Sequence, residues 1–251
     1  MIEVVDIYKS FGEKRVLNGI SATFETGKTS LIIGTSGSGK TVFMKCVLGL
    51  LTPEKGEIIY DDRVLGDLNN KKRKLLRQEI GMLFQSSALF DSMTVEENVR
   101  FPLDMFTNFT RKEKLDRVNF VLDRVHLTDA NQKFPSEISG GMMKRVGIAR
   151  AIVLKPKYLF CDEPNSGLDP KTSITIDALI SEITHDFNIT TLINTHDMNS
   201  VMSIGEKIIF LHQGYKNWEG NSKEVLNSHN AELENFIFAS DFLKSLKKNI
   251  T

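Results

Sequence analysis

Apolar and polar side chains alternate along residues 1–24, which is the pattern of strands that bury one face. The turn-like segment Phe11-Gly12-Glu13 interrupts this alternation near its middle. Two alternating stretches on either side of a short turn predict antiparallel strands at the N-terminus. The apolar positions of the pattern are Val4, Ile7, Val16, Leu17, Ile20, Ala22 and Phe24.

A different pattern begins at Leu31-Ile32-Ile33, a short uninterrupted apolar run that ends in a glycine-rich turn. Such a run is typical of a strand buried on both faces, as in a parallel sheet. The next residues repeat apolar side chains at helical spacing and so predict a βα unit: Phe43, Met44, Val47, Leu48 and Leu51. Further apolar runs predict buried strands of a mostly parallel sheet at residues 80–84, 158–161, 190–194 and 207–211.

The apolar spacing between Ser87 and Ala151 is helical, and it predicts helices at 95–105, 111–126 and 141–154. We expect these helices to form a subdomain, at about residues 87–155, inserted into an α/β protein with an N-terminal antiparallel β subdomain. The main domain should span residues 1–228 and a helical tail residues 229–251. One face of the tail should pack on its own domain or on a partner: Leu233, Phe236, Ile237, Ser240, Leu243 and Leu246.

The charge balance narrows the classes of function. The 251 residues include 32 Lys and Arg against 32 Asp and Glu, and the isoelectric point is about 7.0. This balance lacks the broad basic field of most nucleic-acid-binding proteins, so we expect no nucleic-acid partner. A hydrophobic share of 41% and a charged share of 25% are ordinary for a folded chain.

Local features limit where the chain should work. The N-terminal residues lack the basic and apolar regions of a signal peptide, and no apolar run reaches the length of about 18 residues that spans a membrane. We therefore expect a cytosolic chain. Lys71-Lys72-Arg73-Lys74 is interpreted as a solvated helix face, and Cys46 and Cys161 as buried reduced thiols.

The segment Gly34-Thr35-Ser36-Gly37-Ser38-Gly39-Lys40-Thr41 fits the phosphate-loop pattern G-x-x-x-x-G-K-[ST], between a predicted strand and a helix. Its glycines permit backbone N–H groups to converge on phosphates at the positive end of the helix. Lys40 would place a cation beside the β- and γ-phosphates, and the Thr41 hydroxyl would ligate the Mg²⁺ that arrives with the nucleotide.

Asp162 and Glu163 form a carboxylate pair at the end of the apolar run 158–161. Adjacent charges are costly there unless a metal and a reaction use them. In a parallel sheet both would emerge at the carboxyl edge, beside the phosphate loop. We expect Asp162 to hold the Mg²⁺ shell and Glu163 to orient and deprotonate the attacking water. A helix cap is the alternative interpretation.

With these motifs the chain resembles the nucleotide-binding subunits of ATP-binding-cassette (ABC) transporters. Ser139-Gly140-Gly141-Met142-Met143 corresponds to the signature motif of that family and lies between the phosphate loop and the carboxylates. The resemblance covers about residues 2–228. It implies a P-loop NTPase fold of the ABC type that hydrolyses ATP. Three positions depart from the usual pattern, Phe11, Val42 and Met142, and none of them removes a phosphate, metal or water ligand.

The resemblance also assigns roles to single residues. Gln85 is the Q-loop glutamine, His196 is the switch histidine, and both would act with Glu163 in catalysis. Gln85 would also join Thr41 and Asp162 around Mg²⁺. Phe11 stands where an aromatic ring stacks on adenine, and Asp169 ends the D-loop Ser166-Gly167-Leu168-Asp169. The implied nucleotide contacts are Phe11, Gly34, Thr35, Ser36, Gly37, Ser38, Gly39, Lys40, Thr41, Val42, Ser139, Gly140, Gly141 and Asp169.

The signature residues imply a second copy of the chain. Ser139 and Gly141 lie in the predicted helical subdomain and cannot easily reach the nucleotide of their own chain. Two copies arranged head to tail would each close these residues over the ATP held by the other copy's phosphate loop. Gln85 could then contact both the metal shell and the mobile subdomain, and so link hydrolysis to motion.

Residues 82–99 look particularly like the ATPases of maintenance-of-lipid-asymmetry (Mla), or MCE-type, phospholipid transporters. That subgroup implies an integral-membrane permease, a periplasmic MCE-type lipid-binding subunit and, in some members, a small cytosolic regulatory subunit. The ATPase would then lie on the cytoplasmic face of the inner membrane. Two alternatives stay open: a cassette ATPase for another cargo, such as an amino acid or a drug, or a soluble cassette scaffold in cofactor assembly or DNA repair.

Overall fold

The computed structural model describes residues 1–238, and contacts within the chain divide it into two units. Unit 1 comprises Met1–Phe24, Thr29–Asp67 and the described residues from Asn194 onward, and unit 2 comprises Glu25–Lys28 and Leu68–Ile193. Across the described residues, no helix combines the length and the apolar character needed to cross a membrane.

The strands are β1 (Ile2–Phe11), β2 (Lys14–Phe24), β3 (Thr29–Ile33), β4 (Lys55–Tyr60), β5 (Arg63–Val64), β6 (Ile80–Leu83), β7 (Tyr158–Asp162), β8 (Thr190–Asn194), β9 (Lys207–His212) and β10 (Tyr215–Gly220). The helices are α1 (Lys40–Val47), α2 (Asn70–Gln78), α3 (Val95–Phe106), α4 (Arg111–Arg124), α5 (Gly140–Ile152), α6 (Pro170–Asp186), α7 (Met198–Ile204) and α8 (Ala231–Ile237). Short 3-10 turns lie at Leu65–Asp67, Pro135–Glu137 and Val225–Asn227.

Unit 1 contains the predicted antiparallel strands. Strands β1 and β2 pair with Ile2 opposite Phe24 and Val4 opposite Ala22, all four of which are buried. The order in this sheet is β2-β1-β4-β5, with every pair antiparallel. The predicted N-terminal β subdomain is therefore confirmed.

A second group of strands in unit 1 has the order β10-β9-β3. Strand β3 is buried at every position and pairs in parallel with β9, which in turn pairs antiparallel with β10. Two of the buried strands predicted from apolar runs are thus confirmed. Because β3 leads into α1 through residues 34–39, this pair positions the glycine-rich loop.

Unit 2 contains strands in the order β8-β7-β6, of which β6 and β7 are parallel. Helices α3, α4 and α5 begin within one residue of the starts predicted by their apolar spacing. The starts of α3 and α4 are set by capping boxes, in which Thr94 and Thr110 exchange hydrogen bonds with Glu97 and Glu113. The α/β class is confirmed; the boundaries of the helical subdomain, 87–155, stay a prediction.

Three smaller predictions have different outcomes. The basic run lies on α2 with Lys71, Lys72 and Lys74 exposed, and both cysteines are buried free thiols, as expected. The tail helix begins at Ala231, where Leu233 and Ile237 are buried and the Phe236 ring lies 5.5 Å from that of Phe210 in the same unit. Ser240, Leu243 and Leu246 lie outside the described residues.

Candidate active site

Strand β3 and helix α1 hold the predicted phosphate loop in unit 1. The chain leaves the buried strand at Gly34 and enters the helix at Lys40. Gly39 is the N-cap of α1, no side chain caps the helix, and its first turn carries no acidic residue. The N–H groups and the positive end of the helix can therefore serve an anion.

The loop is folded so closely that a side chain at either of two of its glycines would be strained. A Cβ at Gly34 would lie 2.3 Å from the Leu211 carbonyl oxygen. Gly39 has a φ of +106°, and a Cβ there would lie 3.1 Å from the Val16 carbonyl oxygen. The pattern of glycines in the sequence therefore has a steric cause as well as a conformational one.

The polar groups of the loop match a phosphate ligand. Lys40 Nζ donates to the carbonyl oxygens of Gly34 at 2.7 Å and Thr35 at 3.2 Å, which keeps its ammonium over the loop. The Ser38 hydroxyl is buried and has no hydrogen-bond partner among residues 1–238, an uncommon state that a phosphate oxygen would relieve. The exposed or half-buried positions are Thr35, Ser36, Gly37, Lys40, Thr41 and Val42.

Unit 1 also holds two other predicted site residues. Phe11 ends β1 with 49% of its surface exposed, so one face of its ring can accept an adenine. His196 is exposed and lies between β8 and α7, in a turn where the Thr195 hydroxyl accepts a hydrogen bond from the Asp197 N–H at 3.0 Å. The imidazole is thereby offered to solvent at a strand end.

In unit 2, strand β7 carries the carboxylate pair. Its residues from Tyr158 to Cys161 are buried, whereas Asp162 and Glu163 are half-buried at its carboxyl end. Glu163 has a φ of +49°, the left-handed conformation that costs a residue with a Cβ free energy. Backbone strain of this kind collects at functional sites, where it fixes the direction of a reacting side chain.

The Q-loop and D-loop residues lie together in unit 2. Gln85 Nε2 donates to the Ser166 hydroxyl at 3.1 Å. Asp169 is the N-cap of α6 and accepts a hydrogen bond from the Thr172 N–H at 3.0 Å. A further hydrogen bond from the Thr172 hydroxyl lowers the pKa of Asp169. In its own chain, the Asp169 carboxylate therefore acts as a helix cap.

The signature residues form the first turn of α5. Ser139 is the N-cap, exposed to solvent, and its hydroxyl accepts a hydrogen bond from the Met142 N–H at 3.3 Å. A Cβ at Gly141 would lie 2.7 Å from Thr172 Cγ2, so α5 and α6 approach closely here. The exposed helix start presents a hydroxyl and backbone N–H groups outward, as phosphate binding from another chain requires.

Three side chains for which no role was predicted from the sequence hold the segment following β6. Asn98 is fully buried and binds backbone groups of Phe90, Met93 and Thr94. Lys144 and Arg150 bind carbonyl oxygens nearer to β6. Burial lowers the pKa of the Lys144 ammonium, and the neighbouring Glu163 carboxylate opposes that shift. In the sequence, Lys144 stands four residues before the apolar Ile148, and residues four apart share one face of a helix. This spacing could have indicated that the Lys144 side chain is buried.

The predicted residues are thus divided between the units. Unit 1 brings together the phosphate loop and contains Phe11 and His196. Unit 2 brings Gln85 to the D-loop and contains the carboxylates and the signature turn. The Thr41 hydroxyl, the Gln85 amide and the Asp162 carboxylate offer oxygen ligands, which is the donor chemistry that Mg²⁺ prefers.

Comparisons with known proteins agree with this geometry. The sequence profile of the ABC transporter family matches residues 17–166. The methionine import ATP-binding protein MetN of Campylobacter jejuni is 37% identical over 268 aligned positions, which cover 100% of this chain and 79% of that protein. The probable ribonucleotide transport ATP-binding protein mkl of Mycobacterium tuberculosis is 39% identical over 94% of this chain and 66% of its own length.

Two solved structures extend the comparison to the fold. The dimeric ABC transporter cassette MJ0796 superposes with a TM-score of 0.80 at 30% identity, covering 88% of this chain and 99% of that one. The protein cbiO1 of Clostridium perfringens, part of an ABC transporter complex, gives a TM-score of 0.85 at 28% identity over 98% of each chain. The chain therefore belongs to the ABC transporter family, as an ATP-binding subunit that hydrolyses ATP to drive transport.

Proposed function

We propose that this ATPase hydrolyses ATP with the catalytic and nucleotide-binding residues that its resemblance to the family assigns. Lys40 and the loop N–H groups bind the β- and γ-phosphates, and Phe11 stacks on the adenine. Glu163 orients the attacking water, while His196 contacts the γ-phosphate in the transition state. The strained backbone of Glu163 at the end of a buried strand is the observation that supports this assignment most directly.

The proposed chemistry is an in-line transfer of the γ-phosphoryl group to water. The water oxygen forms a bond to phosphorus, the bond to the β–γ bridging oxygen breaks, and Glu163 accepts the proton of the water. Lys40 neutralises charge that develops on the phosphate oxygens. Thr41, Gln85 and Asp162 would hold Mg²⁺, which supplies further charge neutralisation when bound.

We also propose that two copies work head to tail. The exposed Ser139 turn of one copy would close over the ATP on the phosphate loop of the other. ATP binding would then close the dimer, and hydrolysis would release it. The similarity to a cassette solved as a dimer supports this arrangement.

For the cargo we propose phospholipid, moved by a system of the Mla or MCE type. The support is the resemblance of residues 82–99, which in unit 2 border a groove of about 320 Å³. A cytosolic helix of an integral-membrane permease would dock there and anchor the ATPase to the cytoplasmic face of the inner membrane. The system would also include a periplasmic MCE-type subunit and could include a small cytosolic regulatory subunit. Apolar residues dominate the groove: Phe84, Ala88, Phe90, Phe101, Pro102 and Phe106.

A second candidate cargo is an amino acid. It is favoured by the 37% identity to a methionine import ATPase, which extends over the whole of this chain. The two cargoes make different demands on the partner and not on the ATPase itself. They are therefore distinguished by the permease that binds this chain.

Paired substitutions test the catalytic assignment. Glu163→Gln should still bind ATP and form a dimer but should hydrolyse ATP about 100-fold more slowly, because the proton acceptor is lost. Lys40→Ala should weaken ATP binding itself by roughly tenfold, because a charged contact to phosphate is lost. Turnover, ATP titration and size-exclusion chromatography measure these effects. Unchanged turnover in Glu163→Gln, or wild-type affinity in Lys40→Ala, would contradict the assignment.

A capture experiment tests the cargo. The tagged chain would be purified from detergent-solubilised membranes, and the complex would be reconstituted in vesicles with fluorescent phospholipid or labelled methionine. We expect ATP-dependent movement of the phospholipid and not of methionine. Movement of methionine alone would establish the second candidate, and a chain that never captures a multi-span subunit would refute both.

A further inference from the structure

Helix α5 holds the segment that follows β6 through two cationic side chains. The Lys144 ammonium donates a hydrogen bond to the Gln85 carbonyl oxygen. Arg150 donates from Nη2 to the Ser87 carbonyl oxygen at 2.5 Å and from Nη1 to the Ala88 carbonyl oxygen at 2.8 Å. Lys144 is only 4% exposed, so its bond is made away from water, where losing it would leave a charge and a carbonyl unsatisfied.

The segment needs this support because its backbone is strained. Ser87 and Ala88 have φ values of 61° and 46°, two successive left-handed conformations without glycine. Such conformations persist only where the surroundings determine them. Arg150 donates its hydrogen bonds to the carbonyl oxygens of these two residues. This indicates that α5 maintains the backbone conformation of residues 85–88.

The other end of α5 carries the signature turn. Ser139 is the N-cap, and the helix runs 13 residues from Gly140 to Ile152, or about 20 Å. Lys144 and Arg150 lie one and three turns along the same helix. A displacement of the signature turn would therefore move the carbonyl groups that these side chains bind.

We propose that Lys144 and Arg150 fasten residues 85–88 to α5, so that this segment moves with α5 rather than with strand β6, from which it emerges. The inference rests on the proposed head-to-tail dimer. Capture of the partner's ATP at Ser139 then moves residues 85–88, of which Ala88 lines the proposed permease groove. ATP bound to the phosphate loop of one copy thereby acts on the permease through α5 and residues 85–88 of the other copy. Lys144 and Arg150 are positioning residues, since neither needs to touch nucleotide.

Hydrogen exchange of the chain without nucleotide tests the fastening. Lys144→Met and Arg150→Met should speed amide exchange at residues 86–90 roughly tenfold, while strand β6 keeps its protection. Arg145→Met is the matched control, because Arg145 on the same helix binds the His126 carbonyl, outside this segment. Unchanged exchange in the two variants, or equal acceleration in the control, would overturn the proposal.

A rescue variant separates the hydrogen bond from a general loss of folding. Lys144→Gln retains a donor for the Gln85 carbonyl without the charge, so exchange at 86–90 should return to within about twofold of the original chain. A melting temperature close to that of the Arg145→Met control would show that the variants fold. Exchange as fast in Lys144→Gln as in Lys144→Met would count against a role for the bond.

The transmission is tested with ATP in a background that carries Glu163→Gln and Gln85→Ala. The second change removes the side chain through which Gln85 could sense its own nucleotide and leaves its carbonyl in place. ATP should slow exchange at residues 86–90 severalfold, and adding Arg150→Met should abolish the effect although the dimer still forms. Persistence of the effect would refute the route through α5.

A background chain that fails to dimerise would contradict the proposed function instead. Whether Lys144 and Arg150 fasten residues 85–88 to α5 would still be decided by the exchange measured without ATP.

Discussion

At the scale of single residues, Gly34 sets the shape of the phosphate loop. A Cβ there would also lie 2.7 Å from the buried Ser38 hydroxyl, in addition to its contact with the Leu211 carbonyl oxygen. The carbonyl belongs to strand β9 and cannot rotate away, so the loop itself would have to shift. The Ser38 hydroxyl and the nearby N–H groups would lose their alignment as a result.

Gly34→Ala should therefore lower ATP affinity roughly tenfold and the free energy of unfolding by about 2 kcal/mol. Gly66→Ala is a suitable control, because a Cβ at Gly66 has no atom within 4 Å and its φ is not left-handed. The control should change stability by less than about 0.5 kcal/mol. ATP titration and urea unfolding measure both, and normal ATP binding by Gly34→Ala would be inconsistent with the steric argument.

The two thiols provide a second prediction at this scale. Burial raises the pKa of Cys46 to about 11 and raises that of Cys161 further. Only the thiolate reacts with iodoacetamide, so at pH 8 the folded chain should gain almost no label, whereas the unfolded chain should gain it at both positions. Mass spectrometry measures the labelling. Rapid modification of the folded chain at either thiol would contradict their burial.

The sequence predicted the phosphate loop residue by residue, because few residue types meet its steric and charge requirements. It did not predict a role for Lys144 or Arg150. These side chains bind backbone carbonyl groups. Because every residue has such a group, the partners cannot be recognised from the sequence. The D-loop gave a similar result: sequence identified Asp169, but its function as the N-cap of α6 depends on the fold.

At the scale of elements, α3 is joined to the loop before it by one amide. Asn98 Nδ2 donates to the carbonyl oxygens of Phe90, Met93 and Thr94 at 3.0 to 3.1 Å, and its Oδ1 accepts from the Phe90 N–H at 2.8 Å. The amide is fully buried. It thus fixes residues 90–94 to the first turn of a helix that borders the proposed permease groove.

Asn98→Asp should lower the free energy of unfolding by about 3 kcal/mol, since a buried carboxylate cannot donate to the carbonyl groups and would repel them. Asn119→Asp is the matched control. Asn119 is exposed and uses its oxygen as an acceptor for Asn131 Nδ2, a role that aspartate keeps. The control should stay within about 0.5 kcal/mol in the same urea titration. Equal losses would show that the buried amide is not special.

Elements with a strong apolar period were predicted well, and elements without one were missed. The buried strands β3 and β9 and the amphipathic helices α3 to α5 were found within a few residues. Strand β10 was missed because Tyr215–Gly220 has no buried residue, and β4 because only Ile58 and Tyr60 are buried in it. Their pairing with neighbouring strands, rather than their own sequence, makes them strands.

At the scale of the whole molecule, the formal charge is zero while the proposed site binds a highly charged ligand. Anion binding is assigned to backbone N–H groups, the end of α1 and Lys40, so bulk charge carries no information about it. The head-to-tail proposal adds that one chain contributes the phosphate loop of one site and the signature turn of the other. Complementation between two damaged chains can test this division.

Chains carrying Lys40→Ala and chains carrying Ser139→Arg should each be nearly inactive alone. In a mixed dimer, both defects fall in one composite site and the other site is intact. Mixing should therefore restore activity, to roughly a quarter of the original rate if the chains pair at random and one intact site has half the activity of two. Activity measured across mixing ratios checks the prediction. If each site belonged to a single chain, no ratio would restore it.

The left-handed backbone at Glu163 sets the catalytic role proposed for this residue against the stability of the fold. Glycine adopts that conformation without penalty, whereas a residue with a Cβ loses about 1 kcal/mol there. Selection of this chain for thermal stability alone would therefore favour the substitution Glu163→Gly. Under the proposed role of Glu163 as the base, this change would stabilise the fold but would remove the group that accepts the proton of water. Laboratory evolution of this chain therefore needs to select for thermal stability and ATPase activity together.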